Sequence, residues 1–148
     1  MSDQRAKVDD ATRREWRELG FFYDYDEPQA CWRLVGSRTG LLKFCDLLRQ
    51  YADNPRNDKP SEHDHYGPYM YLEVMTWHEA QITDHAIAGS LHDLRRLAEL
   101  CHEKLAHAQP GHVVTIDREY STGNTARLQF EVQVDDFDPP TADPQLSK

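Results

Sequence analysis

The chain has few cysteines and no long apolar run, and each shortage excludes a class of protein. Its three cysteines, Cys31, Cys45 and Cys101, are an odd number without CxxC spacing, which argues against a disulfide framework or a cysteine-rich zinc site. Apolar spacing places Cys45 and Cys101 on core-facing sides of predicted helices, where we expect buried, reduced thiols. No apolar stretch approaches the roughly 18 residues of a membrane-spanning helix, and residues 1–15 lack an apolar signal core. We therefore expect a soluble, cytoplasmic protein that does not bind membranes.

Basic residues are outnumbered by acidic ones. The chain has 17 lysines and arginines against 26 aspartates and glutamates, which gives a formal net charge of −9. This balance is unfavourable for binding nucleic acid, whose phosphates are neutralised by cations, and for docking on anionic lipid. It is compatible with a basic protein partner, since complementary fields speed encounter, and equally with a surface that is acidic only for solubility.

The 148 residues repeat one pattern, in which a strand ends in Gly-Ser and is followed by a helix and another strand. The first unit is predicted as strand Cys31–Val35, helix Leu41–Tyr51 and strand Tyr69–Met75. The second is strand Ile82–Ala88, helix Leu91–Leu105 and strand Val113–Tyr120, and we expect Ile82–Ala88 to form a hairpin with Tyr69–Met75. Serines in both Gly-Ser pairs can cap the helices that follow.

A last strand follows, in which Leu128, Phe130, Val132 and Val134 alternate with polar residues. The element order predicts an α+β, ferredoxin-like (split βαβ) fold with a mostly antiparallel sheet, two helices on one face and an extra C-terminal strand. We expect one domain over residues 10–138, with a short helix from Ala11 to Leu19. Residues 1–9 and the proline-containing residues 139–148 are expected to be disordered.

The segment from Ser61 to Tyr66, which we call the histidine segment, is the most enzyme-like stretch of the chain. His63 and His65 would share one face of an extended strand, and Asp64 could orient an imidazole or bind a metal. No third candidate metal ligand lies at a sequence spacing typical of a metal site, so the alternative is a polar loop with solvated histidines. No residue pattern identifies a catalytic group.

Acidic residues beside aromatic ones are the best candidates for an interaction surface. Aromatic side chains supply contact area at interfaces, and carboxylates attract a basic partner. If Leu72 and Val74 face the core, Tyr69, Tyr71 and Glu73 point to the open face of the sheet. The candidate partner-binding residues are Tyr23, Asp24, Tyr25, Asp26, Glu27, Tyr69, Tyr71, Glu73, Asp135 and Asp136.

Three stretches together carry a resemblance: Leu19-Gly20-Phe21-Phe22-Tyr23-Asp24, Trp32 with Gly36-Ser37 and Gly40-Leu41-Leu42, and residues 61–69, Ser-Glu-His-Asp-His-Tyr-Gly-Pro-Tyr. Over about residues 16–138 the chain resembles the small acidic immunity proteins of bacterial polymorphic toxin systems. The resemblance implies a non-catalytic cytoplasmic inhibitor that binds a cognate toxin domain, such as a basic nuclease, without a cofactor, as a monomer or homodimer. The alternatives are a metal-dependent hydrolase using His63, Asp64 and His65, and an oligomeric ligand-binding module using the open sheet face.

Overall fold

The chain folds into two four-stranded sheets and three α-helices over residues 2–146, which the computed structural model describes. The predicted α+β class is confirmed. None of the described helices is long and apolar enough to cross a membrane. The helices are α1 (Ser2–Leu19), α2 (Arg38–Asp53) and α3 (Leu91–Leu105), and the strands are β1 (Phe22–Asp26), β2 (Cys31–Ser37), β3 (His63–Tyr66), β4 (Leu72–Thr76), β5 (Gln81–Ile82), β6 (Ile87–Gly89), β7 (Val113–Ile116) and β8 (Arg127–Gln133).

Both sheets are mixed. Their strand orders are β1-β2-β8-β7 and β3-β4-β6-β5, and in each the two central strands run parallel while both edge strands are antiparallel. The expectation of one mostly antiparallel sheet is therefore wrong, and the ferredoxin-like arrangement is not confirmed. β8 is not an extension of that sheet, because it lies at the centre of the first sheet beside β2.

The predicted topology is wrong at two places, the strand Ile82–Ala88, which is broken, and the polar strand β3, which is predicted as loop. The predicted strand Ile82–Ala88 breaks into β5 and β6, because the hydroxyl of Thr83 accepts hydrogen bonds from the backbone N–H groups of His85 and Ala86 and closes a turn. β6 then pairs with β4 in parallel, and not as its hairpin partner. The hairpin partner of β4 is β3, whose sequence His-Asp-His-Tyr is polar enough to be predicted as loop.

The repeat seen in the sequence corresponds to two ββαββ halves, β1-β2-α2-β3-β4 and β5-β6-α3-β7-β8. Each sheet takes two strands from each half. Ser37 and Ser90 cap the two equivalent helices, and Asp93 completes a capping box with Ser90. α2 and α3 pack on each other, with Cys45 and Cys101 buried as free thiols, as expected. The intertwined halves therefore share one core.

α1 begins at Ser2, although residues 1–9 are predicted to be disordered and the helix to start at Ala11. Its Trp16 is fully buried, and the indole N–H donates to the carboxylate of Asp143 at 2.9 Å. Arg17 makes two hydrogen bonds with Asp138, at 2.9 and 3.0 Å. Residues 138–146, whose proline content predicts no regular structure, thus contain a 3-10 turn at Pro139–Ala142 and are held against α1.

An ion-pair network lies on the face of the first sheet that points away from α2. The Arg33 guanidinium donates to both oxygens of Glu131, at 2.7 and 3.1 Å, and to both oxygens of Asp24, at 2.9 and 3.0 Å. The hydrogen bonds from Arg33 lower the pKa of Glu131 below its ordinary value of 4.5. Burial raises the pKa of Asp24, against the opposing effect of Arg33. Glu131 is bound by two donors of Arg33, Nε and Nη2, whereas the two oxygens of Asp24 share the single donor Nη1.

We expect Glu131→Gln to lower the free energy of unfolding at pH 7 by about 1 kcal/mol, because one charge-assisted pair is lost. The depressed pKa of the folded state means that this stability is present above pH 4.5 and is lost as the pH falls through the lower folded value. Urea unfolding across this range should show the difference between the two proteins shrinking in acid. Glu103→Gln, on the exposed side of α3, is the matched control. A difference that stays constant with pH would contradict this explanation.

Candidate functional site

A groove with aromatic walls lies where the two sheets and the C-terminal segment meet. It encloses about 570 Å³ and is formed by β1, β2, β3, β4 and the connection between the last two, the β5–β6 turn and residues 143–145. We call it the aromatic groove, after the aromatic side chains that line it: Phe22, Tyr23, Tyr25, Trp32, Tyr69 and Tyr71.

The hydroxyl of Tyr23 joins the first sheet to the start of β4. It donates to the backbone carbonyl of Tyr66 and accepts from the N–H groups of Tyr71, at 3.1 Å, and Leu72, at 3.2 Å. Burial raises the pKa of Tyr23, so the hydroxyl keeps its proton and can donate. The backbone reaches this close because Gly67 adopts a φ of +88° and has no Cβ, which would lie 2.6 Å from the Tyr23 hydroxyl.

Trp32 holds the opposite wall of the groove. Its indole N–H donates to the backbone carbonyl of Thr83 at 2.8 Å, and its ring centroid lies 5.1 Å from that of Tyr25. The bond ties the β5–β6 turn to the first sheet. Asp84 and His85, in that turn, are thereby placed at the rim of the groove.

The end of the groove is closed by the carboxylate of Asp143, of which only 2% is exposed. One of its oxygens accepts from the Trp16 indole at 2.9 Å and from the Tyr69 hydroxyl at 2.6 Å, and the other accepts from the N–H of Gln145 at 2.9 Å. Burial and the hydrogen bond that Tyr69 donates to Asp143 raise the pKa of Tyr69. Every oxygen of the buried carboxylate has a partner, so Asp143 fixes the wall and the C-terminal segment in place.

The groove is negatively charged. Asp24, Glu73, Asp84 and Asp143 line it, whereas none of its lining residues in the described part of the chain is a lysine or arginine. Asp24 is paired with Arg33 and Asp143 is buried, so Glu73 and Asp84 remain as carboxylates that face histidines alone. The nearest ionic neighbour of Glu73 is His65 at 3.6 Å, and that of Asp84 is His85, also at 3.6 Å.

The fold brings some of the predicted interaction residues together and separates others. Tyr23, Asp24, Tyr25, Tyr69, Tyr71 and Glu73 all line the aromatic groove. As expected, Leu72 and Val74 are buried and Glu73 points away from them. Asp26, the last residue of β1, and Glu27, in the β1–β2 connection, do not line the groove.

Asp135 and Asp136 follow the end of β8 that pairs with Ser37, whereas Asp26 lies opposite Cys31 at the other end of β2. The two acidic clusters therefore do not form one surface.

Sequence analysis does not select several residues that complete the groove. Trp32 is predicted only as a strand residue, and Asp84 and His85 only as part of the strand that turns out to be broken. Asp143 carries no local signal, since it reaches the groove through contacts with Trp16 and Tyr69, which are 127 and 74 residues away in sequence. Gln145 is held beside it by a hydrogen bond to its carboxylate.

The histidine segment forms the edge strand β3, with the rings of His63 and His65 5.1 Å apart. His63 donates through Nδ1 to the carbonyl of Ser61, which raises the pKa of that imidazole, and His65 donates to the carbonyl of Met70. Strand alternation turns Asp64 to the other side, where it accepts from the Tyr66 hydroxyl. Within residues 2–146, no three histidine, cysteine or carboxylate side chains are grouped so that they could hold a metal ion.

Comparisons of the chain with protein-family models, with curated proteins and with solved structures find no match in any of the three.

Proposed function

We propose that this protein is a non-catalytic immunity protein, which binds a cognate bacterial toxin domain in the cytoplasm and neutralises it. The observation that carries the proposal is the aromatic groove, which combines six aromatic side chains with carboxylates and has no lysine or arginine among its described lining residues. The resemblance of the chain to acidic immunity proteins supplies the biological class.

The composition of the groove fits a basic protein partner. Tyrosine and tryptophan are enriched in the energetically dominant centres of interfaces, because they bury much area with few rotatable bonds. Tyr71 is 64% exposed and Met70 55% exposed, both at the mouth of the groove. A net charge of −9 would steer a basic domain toward the protein, and carboxylates in the groove would favour the correct orientation.

The polar groups of the groove are arranged for rigidity. The Tyr23 hydroxyl, the Trp32 indole and the Asp143 carboxylate are each engaged in hydrogen bonds between different segments of the chain. Such a surface is preorganised for binding, which reduces the entropic cost of association. The Tyr23 hydroxyl and the Asp143 carboxylate are thereby held in structural contacts, which suits a role in shaping a binding surface.

The proposal is tested by co-expressing the protein with a toxin-like domain encoded beside its gene. We expect growth to be restored and the two proteins to co-purify at 1:1. The double variant Glu73→Lys, Asp84→Lys should lose protection, because two repulsive charges are placed in the groove. The matched control, Asp135→Lys, Asp136→Lys, makes the same charge change at the far end of the first sheet and should still protect.

Failure to restore growth with every co-encoded toxin-like domain would contradict the proposal. Equal loss of protection in both double variants would show that net charge matters and the groove does not. Purification of a second copy of this chain, and of no other protein, would favour the alternative of an oligomeric module.

A further inference from the structure

We propose that the aromatic groove binds an arginine side chain of the partner, held between Tyr71 and the carboxylates of Glu73 and Asp84. The identity of the partner rests on the proposed function above, whereas the recognition of a guanidinium is argued from the groove itself.

Glu73 is a half-buried carboxylate that lacks a permanent cation. Its side chain is 21% exposed, and in the described part of the chain its ionic neighbour is His65, 3.6 Å away. His65 uses Nδ1–H to donate to the carbonyl of Met70, so in a neutral imidazole the Nε2 that faces Glu73 carries no proton to donate. The carboxylate is partly removed from water without receiving a strong donor in exchange, and a cation entering the groove would supply one.

The contrast with the neighbouring ion pairs supports this assignment. Asp24, in the wall of the same groove, and Glu131 share the guanidinium of Arg33. The chain thus satisfies its partly buried carboxylates on the first sheet with its own arginine. It leaves Glu73 and Asp84, which face the open groove, without a lysine or arginine.

Tyr71 offers the aromatic surface that a guanidinium requires. Its side chain is largely exposed, its ring centroid lies 5.9 Å from that of Tyr69, and its backbone N–H is fixed by the Tyr23 hydroxyl. A planar cation can stack on such a ring and at the same time reach a carboxylate at the side.

Arginine fits this combination better than lysine. The guanidinium is flat, weakly hydrated and carries five N–H donors, so it can stack on an aromatic ring and still donate to the carboxylates that line the groove. Lysine presents a compact, strongly hydrated charge that gains less from an aromatic wall. A groove of about 570 Å³ accommodates one long side chain with its flanking backbone.

The test is an NMR titration of the full chain with N-acetyl-arginine-methylamide, using N-acetyl-citrulline-methylamide as the neutral probe of nearly the same shape. We expect saturable shifts of the backbone amides of Tyr71, Glu73 and Asp84 with the arginine probe, and affinity at least tenfold lower for citrulline. Glu73→Gln should weaken arginine binding about tenfold, because a charge-assisted pair is replaced by a neutral one. Asp135→Asn, outside the groove, should leave it unchanged.

The assignment would be overturned if the groove amides showed no saturable shift up to about 10 mM arginine probe. One well-formed side-chain contact is expected to have a dissociation constant of about 10 mM or lower. Equal binding of citrulline, or equal binding by Glu73→Gln, would overturn it as well. The outcome is independent of the immunity function. Neutralisation of a toxin without binding of the arginine probe would remove this inference alone, and binding of the probe without neutralisation would remove the proposed function alone.

Discussion

Replacement of Tyr23 by phenylalanine is expected to lower the free energy of unfolding by about 2–4 kcal/mol, although the ring and its packing against Trp16 are kept. The lost hydroxyl is the partner of three backbone groups, the carbonyl of Tyr66 and the N–H groups of Tyr71 and Leu72. Tyr23 is only 3% exposed, so water cannot readily replace it. Each backbone group left unsatisfied carries the full penalty of desolvation.

Tyr25→Phe is the matched control for this variant. It removes a hydroxyl from the next tyrosine of β1 that faces the same side, whose ring packs on Trp32 and whose oxygen forms no hydrogen bond within the described part of the chain. We expect a change within about 0.5 kcal/mol in urea unfolding. Similar stability losses for both variants would show that the Tyr23 hydroxyl does not connect the sheets as described.

Gly40→Ala is the second substitution with a large expected effect, of about 2–4 kcal/mol in the same measurement. A Cβ at this position would lie 2.1 Å from the backbone carbonyl oxygen of Gly20. A backbone atom cannot rotate away, so α2 would have to shift against the end of α1. A loss of stability in Gly40→Ala would be informative, because alanine in a helix normally stabilises by up to about 1 kcal/mol relative to glycine.

Gly123→Ala serves as the control for Gly40→Ala. Its nearest neighbour would be the Ser121 hydroxyl oxygen at 3.5 Å, an ordinary van der Waals distance, and Gly123 does not adopt a positive φ. We expect a change within about 0.5 kcal/mol. A stable Gly40→Ala protein would show that the N-terminus of α2 is not packed on Gly20.

Elements with a strong local pattern could be predicted from the sequence. α3 has the bounds that its apolar spacing and the Ser90 cap predict, and β8 has the alternating burial of its sequence. α2 is three residues longer at its N-terminus than the apolar run, since Ser37 caps it directly. In these segments one face is core and the other is solvent, so the period of the sequence determines the structure.

The arrangement of the strands could not be predicted, because the deciding features are non-local or weakly apolar. β3 is a polar edge strand, β5 has only two residues, and nothing in their composition distinguishes them from loop. The parallel pairing of β2 with β8 joins opposite ends of the chain. The placement of residues 138–146 likewise depends on Trp16, more than 100 residues away in sequence.

Only part of the candidate site could be predicted from the sequence, because some of its residues are brought in by contacts between distant segments. The aromatic and acidic residues of β1 and of the segment before β4 are recognisable where they stand, and the fold places them in one groove. Asp84 and the buried Asp143 lie in segments with no such pattern. Asp135 and Asp136 resemble Asp24 in sequence context, yet they follow the end of β8 that pairs with Ser37, whereas Asp24 lies in the middle of β1 opposite Arg33.

The most direct test of the central claim is a titration of the purified co-encoded toxin domain with this protein, measured as residual toxin activity. We predict complete inhibition at one equivalent for the unchanged protein and for Asp135→Lys, Asp136→Lys. We predict at least a tenfold higher concentration for half-inhibition by Glu73→Lys, Asp84→Lys, since like charges oppose a basic partner. Full toxin activity in excess unchanged protein, or undiminished inhibition by the groove variant, would contradict the claim that this protein neutralises a toxin through its aromatic groove.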